Sequence, residues 1–103
     1  MVVQSLKELD LKHFNTNNVN YMGYLFYGCS SLKELNLNNF NTNNVFYMRN
    51  MFAGCSSLKE LNLNNFNINN VTDMTSMFYG CSNELIIKIK AKYKFIKEEV
   101  FEN

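Results

Sequence analysis

The sequence predicts an α/β repeat: a leucine-rich-repeat solenoid of three strand–turn–short-helix coils with a C-terminal, mostly helical cap. Three observations carry this expectation. A 26-residue unit recurs, opening at Ser5, Ser31 and Ser57 and filling residues 5–82. Its first half has LxxLxL spacing, as in Leu32, Leu35 and Leu37 and again in Leu58, Leu61 and Leu63. After Ser82 the period fails and a lysine-rich amphipathic tail begins. A tandem period of roughly 20–50 residues marks solenoids, propellers and arrays, and about three units are the minimum for a stable stack. One unit cannot bury its own apolar face, so each needs a neighbour as a second wall and as a hydrogen-bond partner for its strand. The chain divides into a lead-in at 1–4, repeats at 5–30, 31–56 and 57–82, and a cap at 83–103.

The lead-in, Met1 to Gln4, is too short for a capping coil. That leaves an apolar end at Leu6, Leu9 and Leu11 with open strand edges, which invites self-association through the N-terminal coil. Within a unit, the alternation around Leu35-Asn36-Leu37 predicts a short strand with its leucines inward. Parallel stacking then places Glu8, Glu34 and Glu60 in one outward column, Asp10, Asn36 and Asn62 in a second, and Lys12, Asn38 and Asn64 in a third. The following NNFNTNN segment is built of residues whose side chains bond nearby backbone. At one period, Asn39 with Asn65, Asn41 with Asn67 and Asn43 with Asn69 predict amide ladders between coils.

In the second half of the unit the spacing changes. Val45, Met48, Phe52 and Cys55 fall at i, i+3, i+7 and i+10, which predicts a short helix. Asn43 or Asn44 suits its N-cap, and Gly54 is placed to end it in the left-handed conformation. The tail satisfies two templates. Leu85, Ile89, Tyr93, Ile96 and Val100 form one helical face, whereas Ile87 to Phe95 alternates with lysines as a strand does. Its length and its KEEVFE ending favour helix for the later part, and either form covers the last coil's apolar face.

At 103 residues the chain is one domain. A net charge of +1 with 18% charged residues gives no excess that points to nucleic acid or anionic lipid. No apolar run approaches the roughly 18 residues of a spanning helix. Cys29, Cys55 and Cys81 fall once per repeat. An odd count without close pairs opposes a disulfide framework or a zinc site, and a ladder of buried thiols is expected. His13, the lone histidine, reads as a surface residue at the place that Asn39 and Asn65 hold in the other copies. No Ser/His/Asp set, metal-spaced cluster or phosphate-binding glycine loop is present. The expectation is a non-enzymatic protein with no cofactor. Asn70-Val71-Thr72 matches a glycosylation acceptor but reads more simply as turn and ladder residues. The tail lysines Lys88, Lys90, Lys92, Lys94 and Lys97 read as the solvated face of a cap.

Met51-Phe52-Ala53-Gly54-Cys55-Ser56-Ser57-Leu58, continuing through Val71 and Met74, resembles the recurrent string of the BspA-like leucine-rich-repeat proteins of bacteria and protists. The resemblance spans residues 5–82. It implies the repeat fold, and it implies adhesion, because members are commonly large cell-surface or lipid-anchored proteins that hold host proteins or other cells. The chain has few repeats and shows no export signal or anchor. As written it is expected to be cytoplasmic, and at the cell surface if it is a fragment of a longer member.

Differences between copies point to a contact face. Copies two and three differ at Thr42/Ile68, Phe46/Thr72, Tyr47/Asp73, Arg49/Thr75, Asn50/Ser76 and Ala53/Tyr79. Residues 46, 49, 50 and 53 would lie on a helix opposite its core stripe. Tyr24, Tyr27, Phe46, Tyr47, Arg49 and Tyr79 are therefore the first candidate for binding a protein partner, being residue types favoured in contact sites. The sheet face, with Glu8, Asp10, Glu34, Asn36, Glu60 and Asn62, is the second. A self-assembling structural element without a recognition face is the alternative function.

Overall fold

The backbone amides of the segment read as helix leave their own copy. In the computed structural model, Met48, Asn50, Phe52 and Gly54 donate to the carbonyls of Asp73, Thr75, Met77 and Tyr79 at 2.8–3.1 Å. Met22, Tyr24, Phe26 and Gly28 donate to Tyr47, Arg49, Met51 and Ala53 at 2.8–2.9 Å. The intervening amides close local turns: Met51 donates to Met48, Ala53 to Asn50 and Cys55 to Phe52. The structure describes residues 8–9, 11, 13–94 and 96–103, with Glu8 in its backbone alone. The lead-in at 1–4, Leu6 of the expected apolar end, Asp10, Lys12 and Phe95 lie outside the described residues.

The expected solenoid of three strand–turn–short-helix coils with a mostly helical cap is therefore corrected. No helix forms within the described part of the repeats, and the chain is not mostly helical. Strand is confined to β1 (Glu8–Leu9) and β2 (Glu34–Leu35), two residues each, paired parallel with Glu8 opposite Glu34 and Leu9 opposite Leu35. The third copy adds no strand to β2. The one α-helix among the described residues, α1 (Asn83–Lys92), follows the repeats. The extents are 31 × 29 × 21 Å.

Two left-handed residues per copy explain why the helical spacing gives turns. Tyr24, Asn50 and Ser76 sit at φ of 62°, 56° and 60°, and Gly28, Gly54 and Gly80 at 75°, 80° and 78°. A left-handed L-residue costs roughly 1–2 kcal/mol and interrupts an α-helix. At Tyr24, Asn50 and Ser76 that cost is offset by an amide bonded to the next layer of chain. Gly54 takes the left-handed conformation, yet it ends no helix. Asn43 caps none either, its amide being bound by Asn41 Oδ1 at 2.9 Å. Burial follows the turns as well: Met51, Phe52 and Ala53 are buried in succession, which one helical stripe does not allow.

The core fills the space inside these turns. Phe26, Phe52 and Phe78 stack with ring centroids 5.6 and 5.4 Å apart, and Phe101 from the tail joins Phe78 at 6.0 Å. Val45, Met48, Met51, Leu32, Leu37 and Leu58 pack around them, nearly fully buried. The cysteines are free and buried. Cys55 Sγ donates to the Phe26 carbonyl and Cys81 Sγ to that of Phe52, both at 3.2 Å. Burial pushes both thiols up to about 12, which leaves them unreactive hydrogen-bonding core groups.

Asparagine and threonine join the copies at the turn corner. Asn39 Nδ2 donates to the Leu11 carbonyl and Asn65 Nδ2 to that of Leu37, both at 3.0 Å. Asn41 Nδ2 reaches Asn17 Oδ1, and Asn67 Nδ2 reaches Asn43 Oδ1, at 3.3 and 3.2 Å. The amide contacts thus step diagonally, pairing 41 with 17 and 67 with 43 instead of equivalent residues. The buried Thr16 and Thr42 hydroxyls accept from the amides of Asn41 and Asn67 and donate to the same residues' carbonyls. The third copy carries Ile68 at this place. A reaching hydroxyl has no following copy to meet there.

The tail meets the last copy at two places. Ser82 caps α1 by accepting from the Leu85 amide at 3.1 Å, and Leu85 and Ile89 turn into the core. Beyond α1, the Tyr93 hydroxyl donates to Asn64 Oδ1 and accepts the Leu63 amide at 2.8 Å. A 3-10 turn, Glu98–Phe101, then receives the amides of Ser76 and Phe78 on the carbonyls of Glu99 and Val100. In the earlier copies these amides find the next repeat.

Candidate functional site

The turn side of the molecule carries the first set of candidate residues. Tyr21, Tyr47 and Asp73 are bridged in parallel, so they occupy one column. The rings of Tyr21 and Tyr47 stack 4.5 Å apart and 8° from parallel. Gly23 is what lets the Tyr47 ring lie flat, because a Cβ there would strike Tyr47 Cε1 and Cδ1. Tyr24 and Tyr27 meet edge to face at 5.5 Å. Arg49 Nε lies 3.2 Å from Asp73 Oδ2. Tyr21, Tyr24, Tyr27, Phe46 and Tyr79 are each 40–52% exposed.

Electrostatics follow from these neighbours. The Thr75 amide, donating to Asp73 Oδ1 at 3.0 Å, holds that carboxyl below the usual range, with the Thr75 hydroxyl and Arg49 adding to it. Desolvation raises the Tyr47 phenol, and the adjacent Tyr21 raises it further. Tyr24, Tyr27, Tyr47 and Arg49 are thus tied to this group of neighbours. Phe46 and Tyr79 are exposed, but no ring contact joins them to it among the described residues. Ala53, expected on the exposed face, is buried, because the segment is not a helix.

Sequence reasoning misses Tyr21, Gly23 as the floor of Tyr47, and Asp73 as the partner of Arg49. The signal was present. Tyr21 sits 26 residues before Tyr47, and column alignment, not helical spacing, identifies it.

The second set lies on the strand side. Glu34, Asn36, Glu60 and Asn62 line an open groove of about 940 Å³ that is also lined by Lys88, Ile89, Ala91 and Lys92 of α1 and by Tyr93 just after it. Leu35, Leu37 and Leu61 also border it, with their side chains buried in the core. Asp10 lies outside the described residues, as does the side chain of Glu8. The tail lysines are partly neutralised. Lys88 pairs with Glu84 at 3.1 Å and approaches Glu60 at 3.9 Å, while Lys90 pairs with Glu98 and lies over the Phe101 ring. Among the described residues no three His, Cys, Asp or Glu side chains converge to hold a metal. No described helix is long and apolar enough to cross a membrane.

Residues 1–95 match the family described as "Mycoplasma protein of unknown function, DUF285". The chain belongs to that family. No curated protein and no solved structure matches it.

Proposed function

We propose that this chain is a non-enzymatic, protein-binding repeat module that grips its partner with the turn-side tyrosines. The observation that supports this reading is the exposed aromatic group itself. Tyr21 and Tyr47, with Tyr24 and Tyr27 beside them, present large ring surfaces already fixed by stacking. Tyrosine and arginine are the side chains over-represented at energetic centres of interfaces. Rings that are ordered before contact lose little entropy on binding. The likeness of the repeat string to BspA-like proteins, which are commonly adhesins, supports the same reading, with adhesion or scaffolding as the form of contact.

The test is capture of partners from source cells with the wild-type chain, followed by quantitative binding with the triple variant Tyr24→Ala/Phe46→Ala/Arg49→Ala. The expected result is at least a tenfold weaker complex with an unchanged melting temperature. Equal binding of every captured partner by the variant removes the turn side as the site. A mass that grows with concentration and no captured partner would favour the self-assembling element instead.

A further inference from the structure

The geometry points to a second interaction site: the groove between the strand side and α1 receives an acidic, extended segment of a partner protein. The inference stands apart from the turn-side reading, since none of its residues belongs to the tyrosine group. Its first support is charge. The described lining residues include Lys33, Lys59, Lys88 and Lys92 against Glu34 and Glu60. Lys33 and Lys59 form no ion pair with any described residue, whereas Lys88 is held by Glu84 and Lys92 lies 5.5 Å over the Tyr93 ring. Among the described residues, two cations without an ion-pair partner therefore line the groove from successive copies, 26 residues apart in the sequence.

The second support is hydrogen-bond polarity. Asn36 Oδ1 accepts the Asn38 amide at 2.9 Å, and Asn62 Oδ1 accepts the Asn64 amide at 2.8 Å. Both side chains also keep their Nδ2 donors for a ligand, and no described group claims them. The groove thus offers ammonium and amide donors, and an acceptor-rich anionic chain is their complement.

The same lining selects a peptide over a nucleic acid. Glu34 and Glu60 sit among the lysines and would repel a continuous phosphate backbone, whose binding depends on uninterrupted neutralisation. A peptide with spaced carboxylates can meet the lysines and place its own N–H groups near the glutamates.

The experiment uses the full chain and a fluorescein-labelled decapeptide of alternating glutamate and valine, with an alternating lysine–valine decapeptide and a ten-nucleotide oligothymidine as competitors. Anisotropy is expected to show binding of the acidic peptide, weakened by salt, and no competition from the basic one. The double variant Lys33→Glu/Lys59→Glu, whose two sites are exposed, should lose at least tenfold in affinity at an unchanged melting temperature. Tyr24→Ala/Arg49→Ala should bind the peptide as the wild type does, which separates this site from the turn side. Absence of binding, unchanged affinity in the lysine variant, or displacement of the peptide by oligothymidine overturns the inference.

Discussion

The two halves of the repeat exchange the roles their spacing suggests. The LxxLxL half, read as strand, contributes one pair of two-residue strands, and no backbone hydrogen bond joins residues 33–37 to residues 59–63 among those described. The second half, read as helix, carries a backbone ladder from the first copy through the second to the third and on into the tail. Apolar spacing reports which side chains are inside, whereas the destination of the amides decides what the backbone is. Both halves send side chains into the core. They differ in where their N–H groups find carbonyls.

That contrast can be broken by substitution. Phe52→Ala removes the central ring of the aromatic stack in the ladder half, where it is fully buried between Phe26 and Phe78. It is expected to cost about 3–5 kcal/mol in urea denaturation, a large share of the roughly 5–15 kcal/mol that holds an ordinary chain folded. Leu35→Ala, in the half with the short strands and slightly exposed at 9%, should fall near the low end of the roughly 2–5 kcal/mol range for such changes. A larger loss at Leu35 than at Phe52 would move the centre of the core from the aromatic stack to the leucine half. Tyr93→Phe sharpens the comparison with a smaller effect. It keeps the ring but removes the hydroxyl that accepts the Leu63 amide. An orphaned buried N–H costs about 1–3 kcal/mol, and thermal denaturation should show that loss with no change in ring packing.

Much of the interior was legible without coordinates. Leu32, Leu35, Leu37, Phe40, Val45, Met48, Phe52 and Cys55 hold fixed places in the repeat, and all are buried. The thiol ladder and the turn-forming asparagines follow from the same register. The backbone of the second half was not legible, because residues at i, i+3 and i+7 are also the inward residues of successive tight turns. Nothing in Tyr24 or Ser76 as residue types announces a left-handed position; only Asn50, a type that tolerates it, and the glycines four residues later do. The site suffered from the same error. A helical reading grouped Phe46, Arg49, Asn50 and Ala53, whereas the ladder groups Tyr21 with Tyr47 and Asp73 by column. On the strand side, Glu34, Asn36, Glu60 and Asn62 could be placed together from the period. The α1 residues that line the groove with them could not, because the tail lies outside the repeat and its helix docks through Leu85 and Ile89.

The central claim is that the MF-x-GC half bonds outward to the next layer of chain instead of back onto its own turn. Scalar coupling across hydrogen bonds, measured by NMR on isotopically labelled protein, addresses it directly. The Phe52 amide nitrogen should couple to the carbonyl carbon of Met77, its acceptor at 2.9 Å, and the Asn50 nitrogen to that of Thr75. Coupling of Phe52 to the Met48 carbonyl, as an α-helix would give, would contradict the account.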